Sequence, residues 1–171
     1  RPAVGERGHQ KVSIVVRELV EDHARPVPPP DDQIVVVGMA GEMIAAGKLS
    51  AFVQDLSMLH AMGIRIVLVH GFRPQVNEQL RAKGHESRFS HGMRVTDPVA
   101  LDCAQEAAGQ LRFEIEAAFS QGLPNTPMAN ATVRVVSGNF LTARPVGVVD
   151  GVDFLHSGVV RKVDSAAIRR A

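Results

Sequence analysis

The sequence predicts an α/β domain with a mainly parallel sheet, and two observations indicate this fold class. Ile34–Val37 is a continuous apolar run, as expected for a strand buried on both faces, and Ile64–Val69 is interpreted as a second buried strand. A glycine-containing turn and a helical pattern follow each strand, which gives the order strand, helix, strand, helix. In such sheets ligands bind at the carboxyl ends of the strands. The predicted crevice therefore lies at the turns Gly38–Gly41 and His70–Arg73.

The first 32 residues are predicted to form a separate unit, an arm helix followed by a proline-rich spacer. Between Gln10 and Ala24 the apolar residues follow one face of a helix: Val12, Val15, Val16, Leu19 and Val20. Arg25–Pro30 breaks that helix with a stiff, extended segment. The arm is either an oligomerisation element or a cover for its own chain. Residues 33–171 form the body.

Three helices are predicted in the first part of the body. One runs from Leu49 to Met62 and ends at a glycine in the C′ position. A second covers Pro74 to Lys83, and a third runs from Pro98 to about Gln121 with Asp97 or Thr96 as N-cap. Their predicted inward faces include Phe52, Val53, Leu56, Leu59 and His60, then Leu101, Ala104, Ala108, Leu111, Ile115, Ala118 and Phe119.

The rest of the body is predicted to consist of loops and short strands. Gly84–Met93 and Gly122–Ala131 are interpreted as loops, and Thr132–Val136 as a strand. Hairpin strands are expected over three further segments: Phe140–Arg144, Val146–Val149 and Phe154–Val163. Ser165 is expected to cap a last helix that stops after its first turn, which we interpret as a truncated domain.

Composition excludes several classes of function. Nineteen basic and 18 acidic residues leave a net charge of +1, and the seven aromatic residues are all Phe. Neither nucleic acid nor an anionic membrane is therefore expected as partner. The single cysteine, Cys103, fits a reducing compartment and is expected to be a buried filler. No apolar run reaches the length of a membrane span, and we expect a cytoplasmic protein.

Candidate site residues come from the strand-end turns and from the segment before the third helix. Gly38–Gly41 either presents backbone N–H groups to an anion or packs as a tight turn. Arg73, at a helix start, either binds a carboxylate or faces solvent. Arg94 lies just before the third helix. The segment is either a helix cap and nothing more, or it places Arg94 to bind a ligand. The seven histidines form no convincing pair with a carboxylate, so no metal site is proposed.

Taken together, these segments resemble the amino-acid-kinase family, and within it the N-acetylglutamate synthase branch of bacteria. The resemblance implies a three-layer αβα sandwich of which this chain holds the N-terminal half. The matching stretches are Ile34–Ile44, Phe52–Asn77, Met93–Asp97, Ala107–Gly109, Val135–Phe140, Pro145–Ser157 and Gly158–Asp164.

The resemblance also implies a crevice that has lost kinase chemistry. In acetylglutamate kinases a Lys that touches the transferred phosphate matches Gly38, and a Gly-Gly pair matches Ala40 and Gly41. A His-Gly-Gly-Gly run matches His70, Gly71, Phe72 and Arg73, and the Arg that holds the substrate carboxylate matches Arg94. Gly38 carries no charge, Phe72 and Arg73 add bulk, and the nucleotide-binding half is expected beyond Ala171. No catalytic residue is therefore expected.

The activity implied is that of the parent enzyme, amino-acid N-acetyltransfer. Its acetyltransferase domain would use acetyl-CoA as co-substrate to acetylate glutamate, while the kinase-like domain senses arginine as effector and builds a homo-oligomer based on dimers. This chain would need no cofactor and be catalytically silent alone. The alternatives are a free-standing ligand-binding or assembly module of the same fold and an active acetylglutamate kinase.

Overall fold

The computed structural model describes residues 34–122 and 133–171. The arm and spacer expected over residues 1–32, and most of the loop expected over residues 122–131, lie outside this part of the chain. The described elements are, in order, β1 (Ile34–Met39), α1 (Gly41–Ala45), α2 (Leu49–Ala61), β2 (Arg65–His70), α3 (Arg73–Ala82), β3 (Arg88–Ser90), β4 (Met93–Val95), α4 (Pro98–Ser120), β5 (Leu141–Pro145), β6 (Val148–Val149), β7 (Val152–Asp153), β8 (Gly158–Val163) and α5 (Ser165–Arg170).

The predicted α/β class is confirmed by β1 and β2, which pair in parallel with α1 and α2 between them. Helix α2 ends as predicted, because Gly63 follows the C-cap Met62 with φ +89. Only glycine enters this left-handed region without steric cost, so Gly63 stops α2 and turns the chain into β2. Helix α3 likewise begins where predicted, with Pro74 in its first turn.

The N-cap of α4 is Asp97, one of the two predicted candidates. Its carboxylate accepts a hydrogen bond of 2.8 Å from the backbone N–H of Ala100. The same carboxylate lies 2.8 Å from His85 Nε2, a contact that was not predicted. First the Ala100 N–H, and then His85, lower the pKa of Asp97. At the last helix the prediction was wrong, because Asp164 caps α5 and Ser165 is its first residue.

The loop predicted over Gly84–Met93 contains an antiparallel hairpin, so that prediction was wrong in part. Strands β3 and β4 pair with Phe89 opposite Arg94. The two residues between the strands, His91 and Gly92, both have positive φ, +51 and +72. Two such residues form the turn whose twist matches a hairpin, although His-Gly lacks the usual Asn-Gly or Asp-Gly signature.

The strands predicted near the carboxyl end pair differently from the expectation. β5 pairs antiparallel with the distant β8, while β6 and β7 form a small hairpin between them. Residues 133–136 do not form the predicted strand. They line a cavity of about 580 Å³ together with the residues of β2. The alternating pattern of this segment therefore predicts a strand that the structure does not contain.

In the described part of the chain, most of the buried hydrophobic residues belong to two packed clusters. The larger joins β1, α1, α2 and α4 through Met39, Ile44, Val53, Leu56, Leu111, Ile115 and Phe119. The smaller joins α3 to α4 through Val76, Leu80, Ala100, Cys103 and Ala107. Cys103 is fully buried in it, as predicted for a filler.

Two burial predictions were wrong. β1 and β2 are not buried on both faces, because Val35 is 39% exposed and Met39 is the sole buried residue of the two strands. The described sheet has only these two strands, so little covers their outer sides. His60, placed on the inward face of α2 by its spacing, is exposed. Among the described helices, none combines the length and apolar character that a bilayer crossing requires.

The contribution of the Asp97 cap to stability can be tested by its dependence on pH. Because the folded-state pKa of Asp97 is lowered, its stabilising contribution is fully present above the unfolded value of about 4 and is lost as pH falls through the folded value. Asp97→Asn keeps the cap but cannot titrate, so the loss of stability in acid should become shallower. Asp97→Ala should show the same shallower slope and also lose about 1 kcal/mol at neutral pH with the cap. Urea unfolding followed by circular dichroism between pH 7 and pH 2 measures both, and an unchanged acid slope in both variants would contradict the assignment.

Candidate functional site

The two strand-end turns lie side by side, as predicted. Met39 is opposite His70 in the parallel register, so β1 and β2 end at the same level. The backbone N–H of Gly71 donates to the carbonyl of Met39 at 2.9 Å, which extends the ladder by one bond into the second turn. The candidate residues Gly38, Ala40 and Gly41 therefore share one edge of the sheet with the residues that follow β2.

Gly41 is required by the close approach of these turns. A Cβ atom on Gly41 would lie 2.9 Å from the carbonyl oxygen of Gly71 and 2.9 Å from Cδ of Pro74. Gln75 Nε2 also donates to the Gly41 carbonyl at 3.0 Å, which ties α3 to the first turn. At Gly41, then, the structure favours the packing interpretation of the turn over the anion cradle.

The two residues that add bulk to the second turn have different surroundings. Phe72 is partly buried and packs against both core clusters, so it connects them. Arg73 is exposed at the first position of α3, and its guanidinium carbon lies 5.1 Å from the centroid of the Phe89 ring. Polar atoms are also buried at this turn: His70 Nδ1 and Gln75 Oε1 have no hydrogen-bond partner among the described residues.

Arg94 reaches the same place from the β3–β4 hairpin. Its guanidinium carbon lies 4.9 Å from the Phe89 centroid, and one terminal nitrogen donates to Asn77 Oδ1 at 2.5 Å. The other terminal nitrogen donates to the hydroxyl of Ser87. Burial, and next the positive charge of Arg73, lower the pKa of Arg94. We call Arg73, Phe89 and Arg94 the Arg–Phe cluster.

The hairpin that carries Arg94 is fixed to the carboxyl-terminal part of the chain. Ser157, which is nearly buried, donates its hydroxyl proton to the backbone carbonyl of Arg94 at 2.5 Å. The hydroxyl of Thr96 lies 2.8 Å from Ser157 Oγ, and the backbone N–H of His156 donates to the Thr96 carbonyl at 3.0 Å. These bonds hold the backbone of β4 in place beside α3.

Sequence reasoning selected Arg73 and Arg94 but missed the ring between them. Phe89 and Ser87 fell inside a segment interpreted as a loop, and Asn77 was treated only as part of the run after β2. The pairing of Phe89 with Arg94 was predictable if His91 and Gly92 had been identified as a two-residue hairpin turn.

The described parts of the chain hold no group of three or more His, Cys, Asp or Glu residues placed to bind a metal ion. In the Arg–Phe cluster, two guanidinium groups lie over the Phe89 ring. The chemistry available here is recognition of negative charge by guanidinium groups and of apolar surface by a phenyl ring.

This fold and site define an α/β domain whose two parallel strands end side by side, with the turns Gly38–Gly41 and His70–Arg73 at their carboxyl ends. The particular family follows from comparison with known proteins, because the model of the amino acid kinase family matches residues 33–171. The chain belongs to the amino acid kinase family.

Named relatives and solved structures agree with this membership. The chain is 58% identical over 140 residues to the amino-acid acetyltransferase of Ralstonia nicotianae, a match that covers 82% of this chain and 31% of that protein. The crystal structure of N-acetylglutamate synthase from Neisseria gonorrhoeae, complexed with coenzyme A and L-arginine, superposes with a TM-score of 0.70 at 33% identity. That match covers 98% of this chain and 37% of the other. The same enzyme complexed with coenzyme A and N-acetyl-glutamate gives a TM-score of 0.68, also at 33% identity, and covers 98% of this chain and 35% of that one. The chain thus spans about a third of the length of these proteins.

Two glycine-to-alanine substitutions test the packing of the two turns, because they should change the free energy of unfolding in opposite directions. Gly41→Ala should lower the free energy of unfolding by about 1–3 kcal/mol, because the added methyl meets backbone atoms that cannot move aside. Gly109→Ala, in the middle of α4 with open space around the added atom, should raise it by about 0.5–1 kcal/mol through helix propensity. Urea denaturation of both variants measures the difference. Equal effects of the two substitutions would show that the turns are not in close contact.

Proposed function

We propose that this chain is the N-terminal regulatory and oligomerisation portion of an N-acetylglutamate synthase. The parent enzyme would transfer the acetyl group of acetyl-CoA to L-glutamate, the first step of arginine biosynthesis, with arginine as feedback effector. The observation that carries this proposal is the 58% identity to an amino-acid acetyltransferase that is about three times as long as the matched segment. The N-acetylglutamate synthase of Neisseria gonorrhoeae was crystallised with coenzyme A and either L-arginine or N-acetyl-glutamate, which supports the proposed acetyl donor, effector and product.

Within that enzyme this portion would be catalytically silent. Phosphoryl transfer depends on positive groups and backbone N–H groups placed around the phosphate. Gly38, at the position of the kinase lysine, is exposed and offers no charge. Gly41 and Gly71 pack too closely to leave a phosphate-sized space between their backbones. Acetyl-CoA would bind to another part of the parent enzyme, and this portion would need no cofactor.

The parent enzyme would be a cytoplasmic homo-oligomer built from dimers, without nucleic acid or membrane as partner. The near-neutral charge supports the absence of polyanionic partners. Residues 1–32, which lie outside the described part of the chain, would serve as the oligomerisation arm through the stripe of Val12, Val15, Val16, Leu19 and Val20.

The direct test of this function compares two proteins in one assay. The full-length protein encoded by the gene and the 171-residue chain are each mixed with acetyl-CoA and L-glutamate, and released coenzyme A is measured by its thiol. Turnover by the full-length protein alone, inhibited by L-arginine, is the expected result. A full-length protein that folds and yet releases no coenzyme A would leave the acetyltransferase proposal without support.

The arm makes a separate prediction about assembly. Val16→Asp together with Leu19→Asp should lower the oligomer mass in light scattering, because two charges in the apolar stripe would not tolerate burial against another subunit. Lys11→Asp and Arg17→Asp, which change charge on the polar side of the predicted helix, form the matched control and should leave the mass unchanged. If the first pair also leaves it unchanged, the arm covers its own chain.

A further inference from the structure

A cavity with a mostly apolar lining lies along β2. Its volume is about 580 Å³, and its lining comes from β2, from the carboxyl-terminal half of α4 and from the segment 133–141. Three members of the larger core cluster, Leu56, Ile115 and Phe119, also line it. We call this surface the β2 groove.

Apolar side chains in the β2 groove are only partly covered by the described residues. Val136 is 59% exposed and Leu141 is 49% exposed. Every residue of β2 is partly exposed as well, although Ile66–Val69 is an apolar run of the kind that is usually buried on both sides. Each Å² of apolar surface that remains in water costs about 25 cal/mol. The β2 groove therefore offers apolar surface to a partner.

The charged residues of the β2 groove favour a partner that carries acidic groups. Three arginines line it, Arg65, Arg112 and Arg134, against one side-chain carboxylate, that of Glu116. Glu116 is already paired with Arg112 at 2.8 Å, while Arg134 is exposed. A partner with an apolar surface bordered by carboxylates would match both the lining and its charge.

The predicted arm helix of this chain carries such a surface. Between Gln10 and Ala24, four valines and Leu19 form the apolar stripe. Glu18 and Asp22 are four residues apart, so on a helix they lie along one border of that stripe. The predicted arm is thus apolar where the groove is apolar, and acidic where the groove is basic.

The spacer determines which groove the arm reaches. Ile34, the first described residue, itself lines the β2 groove of its own chain. Arg25–Pro30 is expected to be stiff and extended, which carries the arm helix roughly 20 Å away from that point. Residues 31–33 alone would have to reverse the chain before the arm could return. Binding to a second copy requires no such reversal.

We propose that the β2 groove of one copy binds the arm of a second copy, with the stripe of valines and Leu19 against the apolar lining. Two copies related by a two-fold axis exchange their arms, so that both grooves are filled in a closed dimer. This inference rests on the oligomerisation role proposed above for residues 1–32, and it adds the surface that receives them. Acetyl transfer is not part of it.

Disulfide cross-linking between two chains tests this contact directly. Leu19→Cys and Val136→Cys are made in separate 171-residue chains, which are refolded together and oxidised. Cys103 is 0% exposed and is not expected to compete. We expect a linked pair of chains on a non-reducing gel that requires both variants and disappears on reduction.

A second exposed valine provides the matched control. Val148 is 66% exposed and lies outside the β2 groove. When Val148→Cys replaces Val136→Cys, we expect at least about tenfold less linked product, because only docking raises the effective concentration of the two thiols.

Three other results would overturn the proposal. A linked pair formed by Leu19→Cys alone would place arm against arm. An internal disulfide in a chain that carries both Leu19→Cys and Val136→Cys, without a linked pair in the mixture, would show that the arm covers its own chain. Equal yields with Val136→Cys and Val148→Cys would show random collision.

The oligomer mass separates this proposal from oligomerisation itself. Val136→Asp places a charge in the groove at an exposed position, which the fold should tolerate. We expect it to lower the mass in light scattering, as Val16→Asp with Leu19→Asp should, while Val148→Asp leaves the mass unchanged. If the arm pair lowers the mass and Val136→Asp does not, the arm binds elsewhere and only the groove proposal is wrong. If none of them lowers the mass, the oligomerisation role is wrong as well.

Discussion

The close contact of the backbone at Gly41 with that at Gly71 is the constraint on which the site depends. It requires β1 and β2 to end at the same level, and their parallel register provides this. It also fixes the start of α3 through Gln75, and so determines where Arg73 emerges. A side chain at position 41 would separate the turns and move α3 with them. The glycines that look like a phosphate cradle in the sequence serve here to bring two backbones together.

Features with local causes were predictable from the sequence. Asp97 caps α4 and Gly63 ends α2 because each effect involves only a few neighbouring residues. Features that depend on residues far apart in the sequence were not predictable. The Ile34–Val37 run predicts burial on both faces, but burial requires strands and helices on either side, and the described sheet has two strands. The same limitation explains the wrong strand prediction at residues 133–136. Their alternating pattern is typical of a strand, but it does not show which strand they would pair with.

The candidate site shows the same division. The position of both turns followed from the general geometry of parallel sheets, and Arg73 and Arg94 were selected by their places before helices. Their meeting on one ring was not predicted, because it needs the β3–β4 hairpin to fold back over α3. That hairpin depends on two residues with positive φ, one of which is a histidine rather than the expected Asn or Asp. Sheet geometry predicted where the two turns lie, while the contacts of Arg73, Phe89 and Arg94 come from the structure.

Gly38 carries no charge, the two turns pack together, and two arginines lie around a phenyl ring, and this arrangement supports the regulatory role proposed above. The central claim is that this crevice does not transfer phosphate. Phosphorus NMR of the full-length protein with ATP, magnesium and N-acetylglutamate tests it most directly. We expect acyl phosphate to form no faster with the protein than without it. Formation of acyl phosphate that is lost in Arg94→Ala would contradict it.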